Sequence, residues 1–211
     1  MWKSAKPRIL ILAAFAIGIA LAQEPMRAYR SFNFGDTQGE VADKILADDA
    51  IRDGSGFKWP DSATRAAIVS YFPGSYSFST QIGSDRYTIS FMFYDNKLYR
   101  IRFASDPYSA SYFDTTVKHS RDNLVDVIKQ AHGQPTTTRT VDFFDTQAGY
   151  VSFSHRWATN PDGVAYGIGI AEVSSKYYAV LDVEWSWMVN FIAQSEQDTK
   201  QSQQRDAAND F

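Results

Sequence analysis

Two neighbouring runs of alternating residues constrain the fold more than any other feature of the chain. Arg86–Tyr94 reads RYTISFMFY and Leu98–Ala104 reads LYRIRFA, so apolar and polar side chains alternate in both. A period of two is typical of β-strands that bury one face. A three-residue loop, Asp95–Lys97, keeps the apolar faces together and predicts an antiparallel hairpin. It aligns the pairs Phe93–Tyr99, Phe91–Ile101 and Ile89–Phe103.

A helix is predicted before the strands in each half of the chain. Thr37 and Glu40 fit a capping box at the start of the first helix. The nearby glycines do not predict a phosphate loop, because Glu40 would repel an anion at the helix N-terminus. The second helix ends at Gly133, with Pro135 beyond it. Four strands are predicted after it: Arg139–Asp145, Tyr150–Ala158, Val164–Val173 and Tyr177–Trp187.

The order of helix and then strands therefore occurs twice. It predicts an α+β fold of two helix-plus-antiparallel-sheet repeats, with the helices packed on one face of the sheet. The pattern leaves open whether the two repeats share one sheet. We predict four segments: a signal peptide at 1–22, a first repeat at 23–110, a second repeat at 111–193, and a polar, disordered tail at 194–211.

The N-terminus indicates export. Three cations precede an apolar run, Ile9–Leu21, and the run ends in Ala20-Leu21-Ala22, the small-x-small pattern of a cleavage site. The run has 13 residues, whereas a membrane-spanning helix needs about 20. An uncleaved anchor is the alternative. The sequence predicts a periplasmic or secreted protein that does not bind a membrane after cleavage.

Charge and cysteine content narrow the classes of function. Removal of three cations leaves 18 Lys and Arg residues against 24 acids, a net charge of −6. An acidic chain without a long basic run argues against nucleic acid as a partner. The chain has no cysteine, which excludes disulfides, thiolate chemistry and the lipidated cysteine of a lipoprotein.

Three segments, FNFGDTQGEVADKIL, DNLVDVIKQAHGQP and SFSHRWA, carry a resemblance to a known group. Together with the order of elements they resemble the tandem small α+β modules of the β-lactamase-inhibitor protein and related envelope-assembly lipoproteins. The resemblance covers about Phe32–Trp187 and implies secreted, non-catalytic recognition of another protein. The chain departs from that group because it lacks the lipobox cysteine and the disulfides of the inhibitor.

Residues that could support catalysis or metal binding are few. His119, His132 and His155 do not have the spacing of a helical zinc site. Ser154 adjoins His155, but neighbouring strand residues point to opposite faces. Four strand acids could form a glycosidase-like pair, although a solvated sheet face commonly carries such residues. They are Asp142, Asp145, Asp182 and Glu184.

The first hairpin carries the residues that we select for partner binding. In the chosen register Arg100 and Arg102 share the polar face, with Arg86 nearby and Tyr94 at the strand end. This cationic row could bind an anionic partner, or it could consist of ordinary solvated arginines. We predict an exported, non-catalytic module without cofactor or metal that binds another envelope or secreted protein. A glycan hydrolase and a structural envelope protein are the alternatives, and the oligomeric state stays open.

Overall fold

The computed structural model of the protein describes residues 26–60, 62–72 and 78–209. The predicted signal peptide at 1–22 lies outside them. The described α-helices are α1 (Gln38–Ala47), α2 (Arg65–Tyr71), α3 (Lys118–His132) and α4 (Ser186–Asn209). The strands are β1 (Arg27–Tyr29), β2 (Phe32–Asn33), β3 (Arg52–Asp53), β4 (Phe78–Ile82), β5 (Asp85–Tyr94), β6 (Lys97–Ala104), β7 (Thr137–Thr138), β8 (Val151–Trp157), β9 (Val164–Val173) and β10 (Lys176–Trp185).

One antiparallel sheet joins the two halves of the chain. Its strand order is β3-β4-β5-β6-β10-β9-β8-β7, and β1 and β2 form a separate small sheet. The last strands of the two halves, β6 and β10, therefore pair in the middle. The α+β class is confirmed, and the sheet is shared by both halves.

The first hairpin has the predicted strands but a different turn. Asp95 and Asn96 both have positive φ, as a two-residue type I′ turn requires. This turn pairs Tyr94 with Lys97 and Phe93 with Leu98. A bulge at Tyr99 then restores the predicted pairing of Phe91 with Ile101 and of Ile89 with Phe103. The three-residue loop was wrong because a β-bulge absorbs the extra residue and keeps the apolar face intact.

The helices bury their apolar stripes in one core. The predicted capping box is confirmed: the Thr37 hydroxyl accepts from the Glu40 backbone N–H, and the Thr37 N–H donates to the Glu40 carboxylate. The apolar residues of α1 and α3 join those of the central strands in a single cluster. The buried side chains from these elements include Val41, Ile45, Leu124, Ile128, Ile101, Phe103, Leu181 and Val183. We call the opposite side of the sheet the outer face.

Two predicted segments differ in the structure. No strand forms over Arg139–Asp145: the short edge strand β7 lies just before this segment, and a 3₁₀ turn occupies its end at Phe143–Asp145. In place of a disordered tail from Gln194, helix α4 continues to Asn209. Its first turn is anchored by the buried Met188. The later residues lack an apolar stripe, but Gln, Glu, Lys and Ala are good helix formers, so the helix continues in solvent.

Candidate functional site

The outer face holds a buried ion pair at its centre. Arg102 on β6 lies opposite Asp182 on β10. Its Nε and Nη2 each donate to one carboxylate oxygen at 2.7 Å, which is a bidentate pair. Asp182 is 0% exposed. Its buried charge is compensated by this arginine, and the bidentate contact holds the pKa of Arg102 above its usual value despite burial.

A second cross-strand pair lies beside the first. Arg100 Nε is 2.9 Å from Glu184 Oε1, and both side chains are largely buried. Burial raises the pKa of Glu184; Arg100 opposes this rise, and the nearby Asp182 adds to it. The sequence interpretation of Asp182 and Glu184 as solvated acids was wrong. The predicted cationic row is also neutralised, because each of its two arginines faces an acid from the other half of the chain.

Small residues of β9 continue the outer face beyond β10. Ala165, Gly167, Gly169 and Ala171 alternate on this side. The Phe153 ring of β8 covers Gly167, since a Cβ added there would lie 2.6 Å from a ring carbon. The guanidinium of Arg156 stacks over the same ring, 4.0 Å from its centre. This part of the outer face therefore has a flat aromatic surface capped by a cation.

Three exposed aromatic side chains form what we call the aromatic ledge: Tyr94, Trp187 and Phe191. Trp187 and Phe191 lie one turn apart on α4 and stack with ring centres 5.6 Å apart. Tyr94, at the end of β5, meets Phe191 edge-on at 6.0 Å. The three residues expose 36%, 59% and 47% of their surface, respectively. Trp185 connects the ledge to the interior, 5.6 Å from Trp187.

The structure separates the four residues selected from sequence. Arg100 and Arg102 lie in the ion pairs of the outer face, and Tyr94 belongs to the aromatic ledge. Arg86 pairs with Gln81 on β4 and lies 3.7 Å from the exposed Asp106. Sequence reasoning missed Trp187 and Phe191. Their four-residue spacing directly after a buried strand was the available signal, but the segment lacked a continuing apolar stripe.

The acids proposed for hydrolysis do not share one site. Asp142 and Asp145 form the capping box of a single 3₁₀ turn, in which the Asp142 N–H donates to Asp145 Oδ2 at 2.8 Å. Asp142 also contacts Lys118 at 3.1 Å. Asp182 and Glu184 lie on β10, each paired with an arginine. Among residues 26–60, 62–72 and 78–209, no three His, Asp or Glu side chains cluster as a metal site would require.

Ser154 and His155 are in contact, contrary to the alternation argument. A bulge between Phe153 and His155 brings Ser154 Oγ to 2.9 Å from His155 Nδ1. The hydroxyl also donates to the Ile168 carbonyl at 3.2 Å and is buried. Ser154 Oγ thus contacts a ring nitrogen and a carbonyl at once, and the tautomer of His155 sets which of Oγ and Nδ1 donates. This contact orients the imidazole, and Ser154 itself is buried, 2% exposed.

Comparison with known proteins adds no relative. No family model matches the chain, and neither a curated protein nor a solved structure matches it. In the part of the chain that the structure describes, no helix combines the length and the apolar character needed to cross a membrane.

Proposed function

We propose that the protein is an exported, non-catalytic module that binds another envelope or secreted protein through the aromatic ledge and the adjoining outer face. The signal-peptide pattern at 1–22 supports export. Within each half, a helix precedes three hairpin-linked strands, and the last strands of the halves pair. We retain the two-repeat organisation as part of this proposal, since a shared sheet made of both halves presents one continuous outer face.

The observation that carries the proposal is the aromatic ledge. Large aromatic side chains dominate the energetically important part of protein interfaces. Tyr94, Trp187 and Phe191 touch one another, and each leaves more than a third of its surface in solvent. Contiguous apolar patches of this kind mark interaction sites more often than scattered exposed residues do.

The charges beside the ledge favour a protein as the occupant. Arg100 and Arg102 are both neutralised by ion pairs, so neither offers a free charge to nucleic acid or anionic lipid. A partner presenting apolar side chains with a polar rim suits such a surface. Arg100 could keep its pair with Glu184 when water is removed, as paired charges at an interface do.

Site-specific photo-crosslinking tests this proposal. A photoreactive phenylalanine analogue at position 191 should capture one protein from envelope or secreted extract. The same analogue at Phe144, which is 94% exposed but lies far along the chain from the ledge, is the matched control. After identification, the purified partner should bind Trp187→Ser at least about tenfold more weakly than the wild type.

Two outcomes would contradict it. Capture of the same species from positions 191 and 144 would indicate non-specific contact, and capture of lipid alone from position 191 would indicate a membrane surface. A partner whose affinity is unchanged by both Trp187→Ser and Phe191→Ser does not bind at the ledge.

One observation favours the hydrolase alternative. Glu184 has a raised pKa and neighbours Asp182 on the same face of β10, which is the electrostatic arrangement of a general acid beside a second carboxylate. The arginine contacts of both acids work against this role. Glycan hydrolysis by the purified protein that is abolished in Glu184→Gln and in Asp182→Asn, with both variants folded, would establish it.

A further inference from the structure

A cavity of about 410 Å³ lies between the first turn of α3 and the edge of the sheet at β7 and β8. Its walls are Lys118, Arg121, Thr138, Arg139, Thr140 and His155. Three cations, one imidazole and two hydroxyls thus face one space, and no carboxylate lines it. A second cavity of about 320 Å³ shares Thr138, Arg139 and His155 with it.

The cations are held by contacts outside the lining. Lys118 lies 2.7 Å from Asp114 and 3.1 Å from Asp142, and both carboxylates are mostly exposed. Arg121 pairs with the exposed Asp122 at 2.7 Å, and only 13% of its own side chain is exposed. Arg121 Nε and Nη2 donate to one oxygen of Asp122 at 2.9 and 2.7 Å, which leaves the donors of Nη1 for a ligand.

Arg139 is fixed by a backbone contact instead of a carboxylate. Its Nε donates to the Phe153 carbonyl at 2.6 Å, and its own N–H donates to the Ser154 carbonyl at 2.8 Å. The β8 bulge at this point supplies both carbonyls. The two terminal nitrogens of the guanidinium keep their donors, so its full charge is available to a ligand.

His155 is the titratable group of the cavity wall whose pKa is lowered by its surroundings. Burial lowers the pKa of its imidazole, and the charges of Arg121 and Lys129 lower it further, with Asp122 acting in the opposite direction. Because Nδ1 is engaged by Ser154, Nε2 is the nitrogen left to meet a ligand. A neutral imidazole in this place would gain a proton if an anion entered.

We propose that this cavity binds the phosphate group of a small molecule. Arg139 brings a charge that is held by a carbonyl and not by an acid, Lys118 and Arg121 add N–H donors beside their ion pairs, and Thr138 and Thr140 add hydroxyl donors. A dianion with three or more acceptor oxygens matches this set, and arginine forks suit phosphate geometry. The site is separate from the aromatic ledge, and the proposal does not depend on what binds there.

NMR of the histidine Cε1–Hε1 groups tests the proposal with inorganic phosphate as the probe. Phosphate should shift the His155 signal in a saturable way and raise the pKa of its imidazole. Sodium chloride at matched ionic strength should not do so. His132, which stacks on Tyr166 at 4.2 Å, is the internal control and should change equally with both salts. Parallel titrations with sodium acetate and sodium sulfate measure whether a carboxylate or another dianion binds as tightly as phosphate does.

Two double variants test whether phosphate binds at the arginines of this cavity and not at exposed arginines elsewhere. Arg121→Gln with Arg139→Gln should weaken phosphate binding at least about tenfold. Arg65→Gln with Arg86→Gln removes the same charge from two exposed arginines and should leave the affinity within about twofold. Circular dichroism and a thermal melt establish that both variants are folded.

The proposal is overturned if His155 responds no more to phosphate than to chloride, or if the Arg121/Arg139 variant binds phosphate as well as the wild type does. Acetate binding as tightly as phosphate would instead make this a carboxylate site. Sulfate binding as tightly as phosphate would make it a general dianion site, which also overturns the assignment to phosphate.

Discussion

Arg102 in the middle of the sheet and Arg139 at its edge carry the same charge, but only Arg102 is neutralised by a carboxylate. Arg102 is held by both oxygens of the buried Asp182. Arg139 is held by a backbone carbonyl and lines a cavity without a carboxylate in its wall. The first arginine stabilises the fold, whereas the second keeps its charge for a ligand. A cation in a sequence therefore indicates a binding site only once its partners are known.

The largest expected effect comes from breaking the central pair. Asp182→Ala should lower the free energy of unfolding by about 3 kcal/mol, because it leaves the half-buried Arg102 without its counter-ion. Urea denaturation measures this loss. Asp106→Ala removes the exposed partner of Arg86 and should cost less than about 1 kcal/mol.

Replacing both members of the central pair sharpens the same test. Arg102→Met with Asp182→Leu should recover most of the loss, since an apolar pair of similar volume avoids burying a lone charge. If Asp182→Ala is no more destabilising than Asp106→Ala, the ion pair is not structural and the contrast with Arg139 fails.

The second-largest loss of stability is expected from a substitution at the contact between β8 and β9. A Cβ at Gly169 would collide with the Ser152 carbonyl oxygen and lie 2.7 Å from the Phe153 Cα, both backbone atoms. Gly169→Ala should therefore cost about 1–3 kcal/mol. Gly167→Ala meets only the Phe153 ring, which can rotate, and should cost less. Thermal melts of the two variants compare them, and equal costs would contradict the assigned register.

Gly169→Ala should also affect Arg139 and Arg102 differently. The β8 backbone that it displaces supplies the carbonyl bound by Arg139. Gly169→Ala should thus weaken phosphate binding while the Arg102–Asp182 pair, on neighbouring strands, is kept. The phosphate titration followed at His155 measures this effect.

A smaller effect is expected at the edge arginine itself. Arg139→Gln should lower the free energy of unfolding by no more than about 1 kcal/mol, because it removes one hydrogen bond to a carbonyl from an exposed side chain. Urea denaturation provides the value. A loss as large as that of Asp182→Ala would mean that Arg139 has a structural role, and the comparison between the two arginines would collapse.

The smallest effect is a change in pH dependence. Since the pKa of Glu184 is raised in the folded state, the folded protein retains a proton there that the unfolded chain releases. The contribution of Glu184 to stability therefore falls as the pH rises through the unfolded pKa, about 4.3, toward the folded pKa. Glu184→Gln should remove this part of the slope, as seen in unfolding free energies measured between pH 4 and pH 7. An unchanged slope would contradict the raised pKa.

Much of the local structure could be predicted from the sequence. The capping box at Thr37 and Glu40, the α3 stop at Gly133 and the alternating faces of β5 and β6 depend on residues a few positions apart. The turn at Asp95–Asn96 was missed because a bulge at Tyr99 compensates for a shorter loop. The Ser154–His155 contact was missed for the same reason, since a bulge interrupts the alternation from which the faces were assigned.

The candidate sites were less accessible to sequence reasoning. Tyr94, selected from sequence for partner binding, is exposed, but Trp187 and Phe191 join it only because β10 leads into α4 beside the β5 strand end. Lys118, Arg121 and Arg139 come from a helix and from an edge segment predicted as a strand. Their convergence depends on how α3 lies against the sheet.

By itself, the sequence determined the α+β class, the positions of most helices and strands, and the face on which most strand residues lie, because each depends on local periodicity and capping. Only the tertiary structure decided which charges are free. Arg102 and Asp182 are 80 positions apart, and they meet because β6 and β10 happen to be neighbours in the strand order. Electrostatic pairing follows distance in space, and no local pattern encodes that distance.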